Sequence, residues 1–581
     1  MAGDITGTNK FLSSVSENLT LNDGVASYTN DVLLMTLEQV EGGWKITKDG
    51  TNYLRETSVK NVVWETKDNA TTWTISFESN NVLISSANGS IKYNAEYPRF
   101  TTYASGQKSI QLFSKATVVT TDANISDLGY VEGEAVVVSG SVTLTIDEPT
   151  NTQSVVVEEG AKIIANAEMT TPIVHFSATM GSEDQNSSSS EIVNAANIIL
   201  ANGGEIHYDI TLGTSLEGVQ ADPNQWHAFT VPFPVDVLNG IYDAETGAKL
   251  TNEVDYAIMD YHGDIRANGQ YGWKKYRGTL VPGTFYIMTV TGDVKTFRFK
   301  KSATGALPNI MSIEYAAYSG TGEDSDQGWN GIGNPSWAKA KVDFPVQVLD
   351  PYTYTYVTKL ASKANFSPST PFFYKANANG TMSMLEANAD ANYAPVRTAA
   401  NEIKDITIAF GNERYKDQLY ISASEDALNE YEQDKDLVKM TMTKTPKVAQ
   451  LFGKAYGEKL SMVHAPLYNN QATYDLTLYA PAAGEYTISA PQMEDVDVYL
   501  TLNGAVLWNI SMSPYTLDLQ KGNTEDYGLL LQKHNAPQVV TGVDNIDGAA
   551  ENAGVQKVIL NDHVYILRNG QRYDVTGKLA K

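Results

Sequence analysis

Short runs in which every second side chain is apolar recur along this 581-residue chain from end to end. Trp73, Ile75 and Phe77 alternate with threonine and serine, and the same alternation returns at 496–502. A period of two points successive side chains to opposite faces of a strand, whereas a helix needs a period of about 3.6. Asn-Gly and Asp-Gly pairs separate several runs as tight turns. The sequence therefore predicts an all-β fold.

The chain is too long for one hydrophobic core, because single cores stop growing beyond roughly 250–300 residues. We therefore expect several antiparallel β-sandwich or barrel domains in tandem, with a short β-solenoid-like segment among them. The expected regions are a small N-terminal β domain (1–114), a β-solenoid-like or sandwich segment (115–218), a β-sandwich with an internal duplication (219–400), a C-terminal β-sandwich (401–535), a linker (536–556) and a terminal β-hairpin (557–581).

The segment 115–218 has shorter strands than the rest of the chain, and glycines separate them. Val136–Val138 and Val155–Val157 are typical of these strands. Such a spacing suits the stacked rungs of a parallel solenoid, and it suits a plain sandwich equally well. Both architectures therefore stay open for this segment.

A twelve-residue phrase occurs twice in the region 219–400. Residues 226–237 align without gaps on 337–348, and six of the twelve positions are identical. The shared Trp, Val, Phe, Pro, Val and Val predict two related halves of one β domain, each with a proline-containing edge strand. The alternative is two independent edge strands that use the same kinds of residue.

One short helix is predicted in the region 401–535. Ser422 and Glu425 can form a capping box, which would start a polar helix that ends at about Asp434.

Charge and cysteine content restrict the partners. The 68 acidic and 42 basic residues give a formal net charge of −26, which repels nucleic acid. There is no cysteine, so disulfides, thiolate metal sites and cysteine nucleophiles are excluded. No run of 18 apolar residues is present, and we expect no transmembrane helix. The start Met1-Ala2-Gly3-Asp4 has neither a basic nor an apolar run, and we expect that a signal peptide was removed and a Met added.

Several stretches resemble exported, modular β-rich surface proteins of Bacteroidota. The stretch Pro-Arg-Phe-Thr-Thr-Tyr at 98–103, the stretch Trp-Asn-Gly-Ile-Gly-Asn-Pro at 329–335 and the stretch Gly-Glu-Tyr-Thr-Ile at 484–488 carry the resemblance. The terminal residues 564–577 are partly similar to the C-terminal sorting signal of type IX secretion, although that signal is longer. The resemblance implies an extracellular or outer-membrane surface location, and it implies no catalytic residues.

The densest polar cluster contains Asp260, His262 and Asp264, with Asp255 and Arg266 beside them. On a strand the first three would share one face, and carboxylates with an imidazole in a cleft can act as acid and base. Bordering glycines favour a solvated loop instead. The seven histidines form no metal-ligand pair, and no nucleophile elbow or phosphate-binding loop is present. We therefore expect no enzymatic activity and assign no catalytic residue.

Two weaker binding sites are predicted. Glu323, Asp324, Asp326 and Asn330 have some of the spacing of a calcium loop but lack its late bidentate carboxylate, and an exposed acidic turn is the alternative. Calcium is the only cofactor considered.

The second predicted binding site is a surface of aromatic side chains that could bind glycans. Tyr352, Tyr354 and Tyr356 would share one face of a strand and, with Trp273, could stack on sugar rings. The alternative is an ordinary strand with one face on a core.

These features together predict a non-catalytic cell-surface or secreted protein with a structural or adhesive role, such as an envelope coat. A glycan-binding surface protein is the alternative, and a glycoside hydrolase-like enzyme is the third hypothesis. Expected partners are further copies of the chain, host or microbial glycans, and surface proteins.

Overall fold

The computed structural model is almost entirely β, which confirms the predicted fold class of tandem β domains. In the part of the chain that the structure describes, the α-helical residues are those of α1, Gly263–Arg266. The described residues are 1–15, 31–78, 81–113, 115–180, 188–212, 226–290, 294, 296–342, 344–350, 355–359, 365–386, 402–413, 415–432, 435–440, 446–534, 555–560, 563–568 and 571–574.

The chain divides into two units. The first consists of Met1–Thr117, Gly133–Val136 and Ala244–Ala248, and the second holds the remaining residues. The first nine strands are β1 Leu12–Ser13, β2 Thr36–Val40, β3 Gly43–Thr47, β4 Tyr53–Ser58, β5 Asn61–Glu65, β6 Thr74–Glu78, β7 Asn81–Ser85, β8 Ser90–Asn94 and β9 Arg99–Tyr103.

The first unit contains two antiparallel sheets with one core. Their strand orders are β2-β3-β4-β5 and β1-β9-β8-β7-β6. Trp73 is fully buried in the core with Leu54, Val62 and Ile91. Its indole Nε1 donates a hydrogen bond of 3.3 Å to the carbonyl of Leu54. The alternation at 73–77 thus places the tryptophan inside and ends at an edge strand, β6.

The next strands along the chain lie mainly in the second unit, and many of them pair in parallel. They are β10 Ala116–Val119, β11 Ala123–Asn124, β12 Ala135–Val138, β13 Thr143–Ile146, β14 Thr150–Asn151, β15 Val155–Val157, β16 Lys162–Ala165, β17 Met169–Met180, β18 Ser188–Ser189, β19 Glu191–Val193 and β20 Ile198–Leu212. Strands β10 and β12 cross the boundary between the units, and β18 pairs antiparallel with β17.

Strands β11-β13-β16-β19 form one parallel sheet, and β15, β17 and β20 pair in parallel in another. Leu144, Ile163 and Ile192 lie in register and are buried. Apolar side chains at equivalent positions stack from rung to rung, as in a solenoid. The parallel pairing therefore selects the solenoid over the sandwich.

Several small sheets follow. Their strands are β21 His227–Phe229, β22 Val235–Asp236, β23 Ile241–Asp243, β24 Tyr256–Tyr261, β25 Trp273–Lys275, β26 Thr279–Leu280, β27 Tyr286–Val290, β28 Thr296–Ala306, β29 Ser312–Tyr315, β30 Trp329–Gly333, β31 Ala340–Lys341, β32 Val346–Asp350, β33 Thr355–Lys359, β34 Asn365–Phe366, β35 Pro371–Lys375, β36 Gly380–Ser383 and β37 Leu385–Glu386. The long strand β28 pairs with β20 and so ends the solenoid with an antiparallel strand.

The two copies of the twelve-residue phrase have the same burial at their shared valines. The buried valines are Val231, Val235 and Val237 in the first copy and Val342, Val346 and Val348 in the second. In the first copy Val235 and Asp236 form β22, which pairs with β26 in a two-stranded sheet, whereas in the second copy β32 lies between β35 and β33. The predicted edge strand is therefore wrong for the second copy, where Pro345 precedes β32 and blocks no ladder hydrogen bond. That the copies are a true repeat stays a prediction.

The C-terminal region is one large sheet that folds around a core. Its strands are β38 Glu402–Gly411, β39 Lys416–Ser424, β40 Leu437–Val438, β41 Gln450–Ala455, β42 Glu458–Pro466, β43 Gln471–Ala480, β44 Gly484–Ser489, β45 Val496–Leu502, β46 Ala505–Asn509, β47 Tyr515–Leu519, β48 Gly522–Thr524 and β49 Tyr527–Lys533. The main order is β46-β45-β49-β43-β41-β42-β39-β38-β44-β47.

The helix predicted from Ser422 is wrong. Ser422 lies inside β39, where Leu419, Ile421 and Ala423 are fully buried in the core. Burial of this strand outweighs a local capping signal, because most of a helix's stability in proteins comes from packing.

The last strands that the structure describes form a small antiparallel sheet. Its strands are β50 Val555–Leu560, β51 His563–Arg568 and β52 Gln571–Asp574, in the order β50-β51-β52. The predicted linker, 536–556, lies outside the described residues except for its last two. In the described part of the chain, no helix is long and apolar enough to cross a membrane.

Candidate functional site

A polar pocket of about 230 Å³ lies where β33 and β39 meet. Its lining residues are Val357, Thr358, Lys359, Tyr415, Lys416, Asp417, Gln418 and Tyr420. Lys416 and Gln418 are exposed, while Leu419 and Ile421 are buried. The two-residue alternation of β39 therefore gives the pocket a polar wall over an apolar core.

Hydrogen bonds fix the aromatic side chains of this pocket. The hydroxyl of Tyr415 lies 3.1 Å from Oγ1 of Thr355, and the hydroxyl of Tyr420 donates to Oε1 of Gln418 at 2.9 Å. The lining thus offers donors and acceptors together with two phenol rings. A lining of this kind suits a ligand rich in hydroxyl groups better than an apolar ligand.

A buried ion pair lies behind the pocket wall. The ammonium of Lys439 pairs with Oδ2 of Asp417, which also accepts a hydrogen bond of 2.6 Å from the backbone N–H of Leu451. Burial lowers the pKa of Lys439, and the adjacent carboxylate opposes that shift. Both side chains are at most 3% exposed, so they hold β39 in place and are not free to react.

Two of the four residues predicted to bind glycans are buried. Trp273 is 8% exposed and Tyr356 is 1% exposed. Both rings pack around Phe373, with centroid distances of 6.1 and 5.2 Å. Neither ring presents a free face to a sugar. Tyr352 and Tyr354 lie outside the described residues, so the stacking hypothesis now depends on them.

Buried hydroxyl groups lie in the same aromatic cluster. Among the described residues, the buried hydroxyl of Tyr356 has no hydrogen-bond partner, and the buried hydroxyl of Tyr261 interacts with Arg266. Burial raises the pKa of both tyrosines, so both stay protonated at neutral pH. Unpaired buried hydroxyls cost stability, which makes them informative positions for substitution.

The acidic cluster begins at the end of β24 and continues into the turn that follows. Strand β24 ends at Tyr261 and α1 begins at Gly263, so the prediction that Asp260, His262 and Asp264 share a strand face is wrong. Nε2 of His262 lies 3.0 Å from Oδ2 of Asp260, whereas its Nδ1 is 3.9 Å from Asp264, whose side chain is 66% exposed. This geometry gives no closed acid–base pair.

The residues predicted to bind calcium make different structural contacts and do not point to a common ion. Asn330 is buried, and its side chain hydrogen-bonds the backbone of Ala316 at 2.9 and 2.7 Å. Asp326 pairs with Arg266 at 3.2 Å, which joins this acidic turn to the neighbouring acidic cluster. Glu323 and Asp324 begin a 3₁₀ turn. Within the described ranges, no three His, Asp or Glu side chains are placed to hold a metal ion, so the structure gives no support to a calcium site.

A group that sequence reasoning missed contains the residue types of a hydrolase triad. Nδ1 and Nε2 of His464 each lie 2.8 Å from a serine hydroxyl, those of Ser422 and Ser424. Oδ1 of Asp436 accepts the backbone N–H of His464 at 2.7 Å and does not touch its ring. A triad needs that carboxylate on the imidazole.

Burial favours the neutral forms of both Asp436 and His464. It raises the pKa of Asp436 to about 6 and, with the charge of Lys435, lowers the pKa of His464 to about 4. His464 is 1% exposed. The cluster therefore has a structural role in holding β42 against β39.

Sequence reasoning also missed Gln347, a fully buried glutamine in β32. Its Nε2 donates to the carbonyl of Val438 at 2.7 Å and to Oγ of Ser461 at 3.0 Å, while Oε1 accepts the N–H of Met440 at 2.7 Å. Thr358 adds a hydrogen bond of 2.6 Å to Ser461. We call these contacts the Gln347 joint, because they connect the middle sheets to the C-terminal sheet.

The solenoid meets the middle sheets at a different junction, the Trp337 joint. Trp337 is 1% exposed, and its ring packs against Phe176 of β17 and Phe233 at 5.3 and 5.9 Å. Its carbonyl accepts the N–H of Ile192 at 2.7 Å. Glu191 pairs with Lys339 at 3.2 Å beside it. The second copy of the repeated phrase thus supplies both Trp337 and Gln347.

Comparison of the chain with protein-family models, with curated proteins and with solved structures finds no match.

Proposed function

We propose that the protein is a non-catalytic structural or adhesive protein of the bacterial surface, exported in the manner that its resemblance to Bacteroidota surface proteins implies. The observation that carries this proposal is the pair of buried joints. They connect the solenoid, the middle sheets and the C-terminal sheet through buried side chains. Stiff connection of modules is what a load-bearing or display protein requires, whereas hinged domains are the default for loosely joined modules.

The shared core supports the same proposal. Trp273, Phe285 and Phe373 of the middle sheets belong to the same buried apolar cluster as Ile406 and Leu476 of the C-terminal sheet. Domains that move independently have smaller and more polar interfaces.

Protease treatment of intact cells tests the location. A protein displayed outside the cell is degraded by added protease while a cytosolic marker stays intact. Protection of the chain in intact cells, with degradation after lysis, would contradict the proposal.

Glycan binding is the second candidate function, and the polar pocket beside Tyr415 favours it. The direct test is a glycan-array screen of the intact chain with Gln418→Ala and Tyr354→Ala variants. Loss of binding in Gln418→Ala would place the sugar in the pocket, and loss in Tyr354→Ala would place it on the predicted tyrosine stripe. An array without any bound glycan would contradict this second candidate.

A further inference from the structure

Two exposed tyrosines of the C-terminal region meet the same loop, 425–432. Tyr468 is 66% exposed and Tyr456 is 37% exposed. The hydroxyl of Tyr456 donates to the carbonyl of Leu428 at 3.4 Å, and Nδ2 of Asn429 donates to the hydroxyl of Tyr468 at 3.5 Å. Leu428 and Asn429 are consecutive, so the hydroxyl ends of the two rings lie close together. We call these four residues the tyrosine platform.

A tight turn fixes the backbone that carries Tyr468. Tyr468 and Gln471 are paired, and the N–H of each donates to the carbonyl of the other at 2.8 and 2.9 Å. Between them Asn469 and Asn470 have φ angles of 51° and 63°, which asparagine adopts more readily than most residues. The exposed ring therefore stands on a rigid support, which reduces the entropy lost when a ligand binds.

Tyr456 occupies a turn position that is unfavourable for a tyrosine. Tyr456 and Gly457 form the two-residue turn between β41 and β42, and their φ angles are 56° and 79°. Turns with positive φ at both central residues favour Asn-Gly, and a bulky residue with positive φ is an outlier. An unfavourable conformation at an exposed position points to a role for the side chain.

The platform combines aromatic surface with hydrogen-bonding groups. Unlike Trp273 and Tyr356, both of its rings are exposed to solvent. The amide of Asn429 and the two phenol hydroxyls offer donors and acceptors at the edges of these rings. An exposed tyrosine ring can stack on the apolar face of a sugar, while polar groups beside it bind the sugar hydroxyls.

The charge around the platform disfavours an acidic ligand. The loop 425–432 has no basic residue and four carboxylates, those of Glu425, Asp426, Glu430 and Glu432. Lys435, which follows the loop, is paired with Glu432 at 3.3 Å. Burial and the carboxylates of Asp436 and Glu432 raise the pKa of Tyr456 to about 12, so its hydroxyl stays protonated at neutral pH. A ligand with its own carboxylate would be repelled here.

We propose that the tyrosine platform binds a neutral glycan, with a sugar ring stacked on Tyr468 and its hydroxyls hydrogen-bonded by Asn429 and Tyr456. This inference rests on the second candidate function, glycan binding. It assigns that function to a surface distinct from the polar pocket beside Tyr415, and it adds the class of sugar.

An array of neutral oligosaccharides, each paired with the corresponding uronic-acid oligosaccharide, tests this inference on the intact chain. We expect a neutral glycan to bind and its uronic-acid counterpart to bind weakly. Calorimetry should show that Tyr468→Ala raises the dissociation constant for the bound glycan at least about tenfold, while Tyr468→Phe keeps the ring and the binding. Tyr271→Ala is the matched control, because Tyr271 is 67% exposed elsewhere in the same unit. An array without a bound neutral glycan, equal binding of the paired uronic acids, or a Tyr468→Ala variant that binds like the native chain overturns the inference.

Tyr456→Asn separates binding from folding. Asparagine accepts the φ angle of 56°, so this variant keeps the turn and loses the ring. We expect weaker glycan binding at an unreduced midpoint of chemical denaturation. Native binding by this variant would contradict the platform.

The Gln418→Ala variant distinguishes the platform from the polar pocket. We expect it to bind the glycan as the native chain does. Binding that is lost in Gln418→Ala but kept in Tyr468→Ala would overturn the platform and leave glycan binding to the pocket. Surface display measured on intact cells is independent of these results.

Discussion

The two copies of the repeated phrase show how similar segments acquire different roles. Their shared valines are all buried, although the strands of the two copies have different bounds. The eleventh position differs: it is Asp236 in the first copy and Gln347 in the second. Asp236 is exposed and caps a turn through Leu238, whereas Gln347 is fully buried and connects two sheets. The two copies therefore differ at this polar position in both burial and hydrogen-bond partners.

The first position differs in burial although the residue is identical. Trp337 is buried in its joint, and Trp226 is only partly buried against the core. We expect Trp337→Ala to lower the free energy of unfolding by about 3–5 kcal/mol, because it leaves a cavity among Phe176 and Phe233. Chemical denaturation measures this loss. Trp226→Ala is the matched control, and an equal loss in both variants would show that the copies do not differ here.

The eleventh position gives the next largest effect. Gln347→Leu keeps most of the side-chain volume but leaves the N–H of Met440 and the carbonyl of Val438 without partners. Each buried group left unpaired costs about 1–3 kcal/mol, so we expect a loss of about 3 kcal/mol. Gln418→Leu at the exposed face of β39 should change stability little. A Gln347→Leu variant as stable as the native chain would contradict the Gln347 joint.

The second position predicts a pH dependence that only the first copy has. His227 occupies the position of Ala338, and burial lowers its pKa to about 4. Because the unfolded chain takes up the proton at its ordinary pKa near 6.5, this group stabilises the fold above that pH. Its contribution declines as the pH falls toward 4.

We therefore expect about 2 kcal/mol of stability to be lost through His227 between pH 7 and pH 5. His227→Ala should reduce the slope of the free energy of unfolding against pH in this window. His464, whose pKa is also lowered, contributes to the slope in both proteins, so the difference between them reports on His227. An unchanged slope would contradict the assignment to His227.

The smallest effect is expected at Asp236. Its carboxylate accepts the N–H of Leu238 at 2.9 Å and the amide of Asn239 at 2.8 Å, and these bonds lower its pKa. Removal of such an exposed cap costs about 0.5–1 kcal/mol. We expect a loss of that size for Asp236→Ala by denaturation. A loss as large as that of Gln347→Leu would mean that position eleven has the same role in both copies.

The period of two predicted the strands well because alternation is local information. The parallel pairing of Leu144 with Ile163 depends on distant segments, so the sequence left solenoid and sandwich both open. The capping pattern at Ser422 failed for the same reason, since the burial of β39 is a tertiary effect. Gln347 had a detectable sign: it is a polar residue in line with buried Leu349 on one face of a strand.

The candidate sites were predicted less well than the fold. Trp273 and Tyr356 have the composition of a sugar platform, but exposure is what distinguishes a platform from a core, and composition does not report it. The polar pocket brings together residues of β33 and β39, which are distant in sequence.

The central claim is that the solenoid, the middle sheets and the C-terminal sheet form one stiff body through the two joints. The distance between spin labels at Glu148→Cys in the solenoid and Lys521→Cys in the C-terminal sheet measures this directly, because the chain has no other cysteine. We predict one narrow distance distribution, which broadens when Gln347→Leu is added. A broad distribution in the native background would contradict the account.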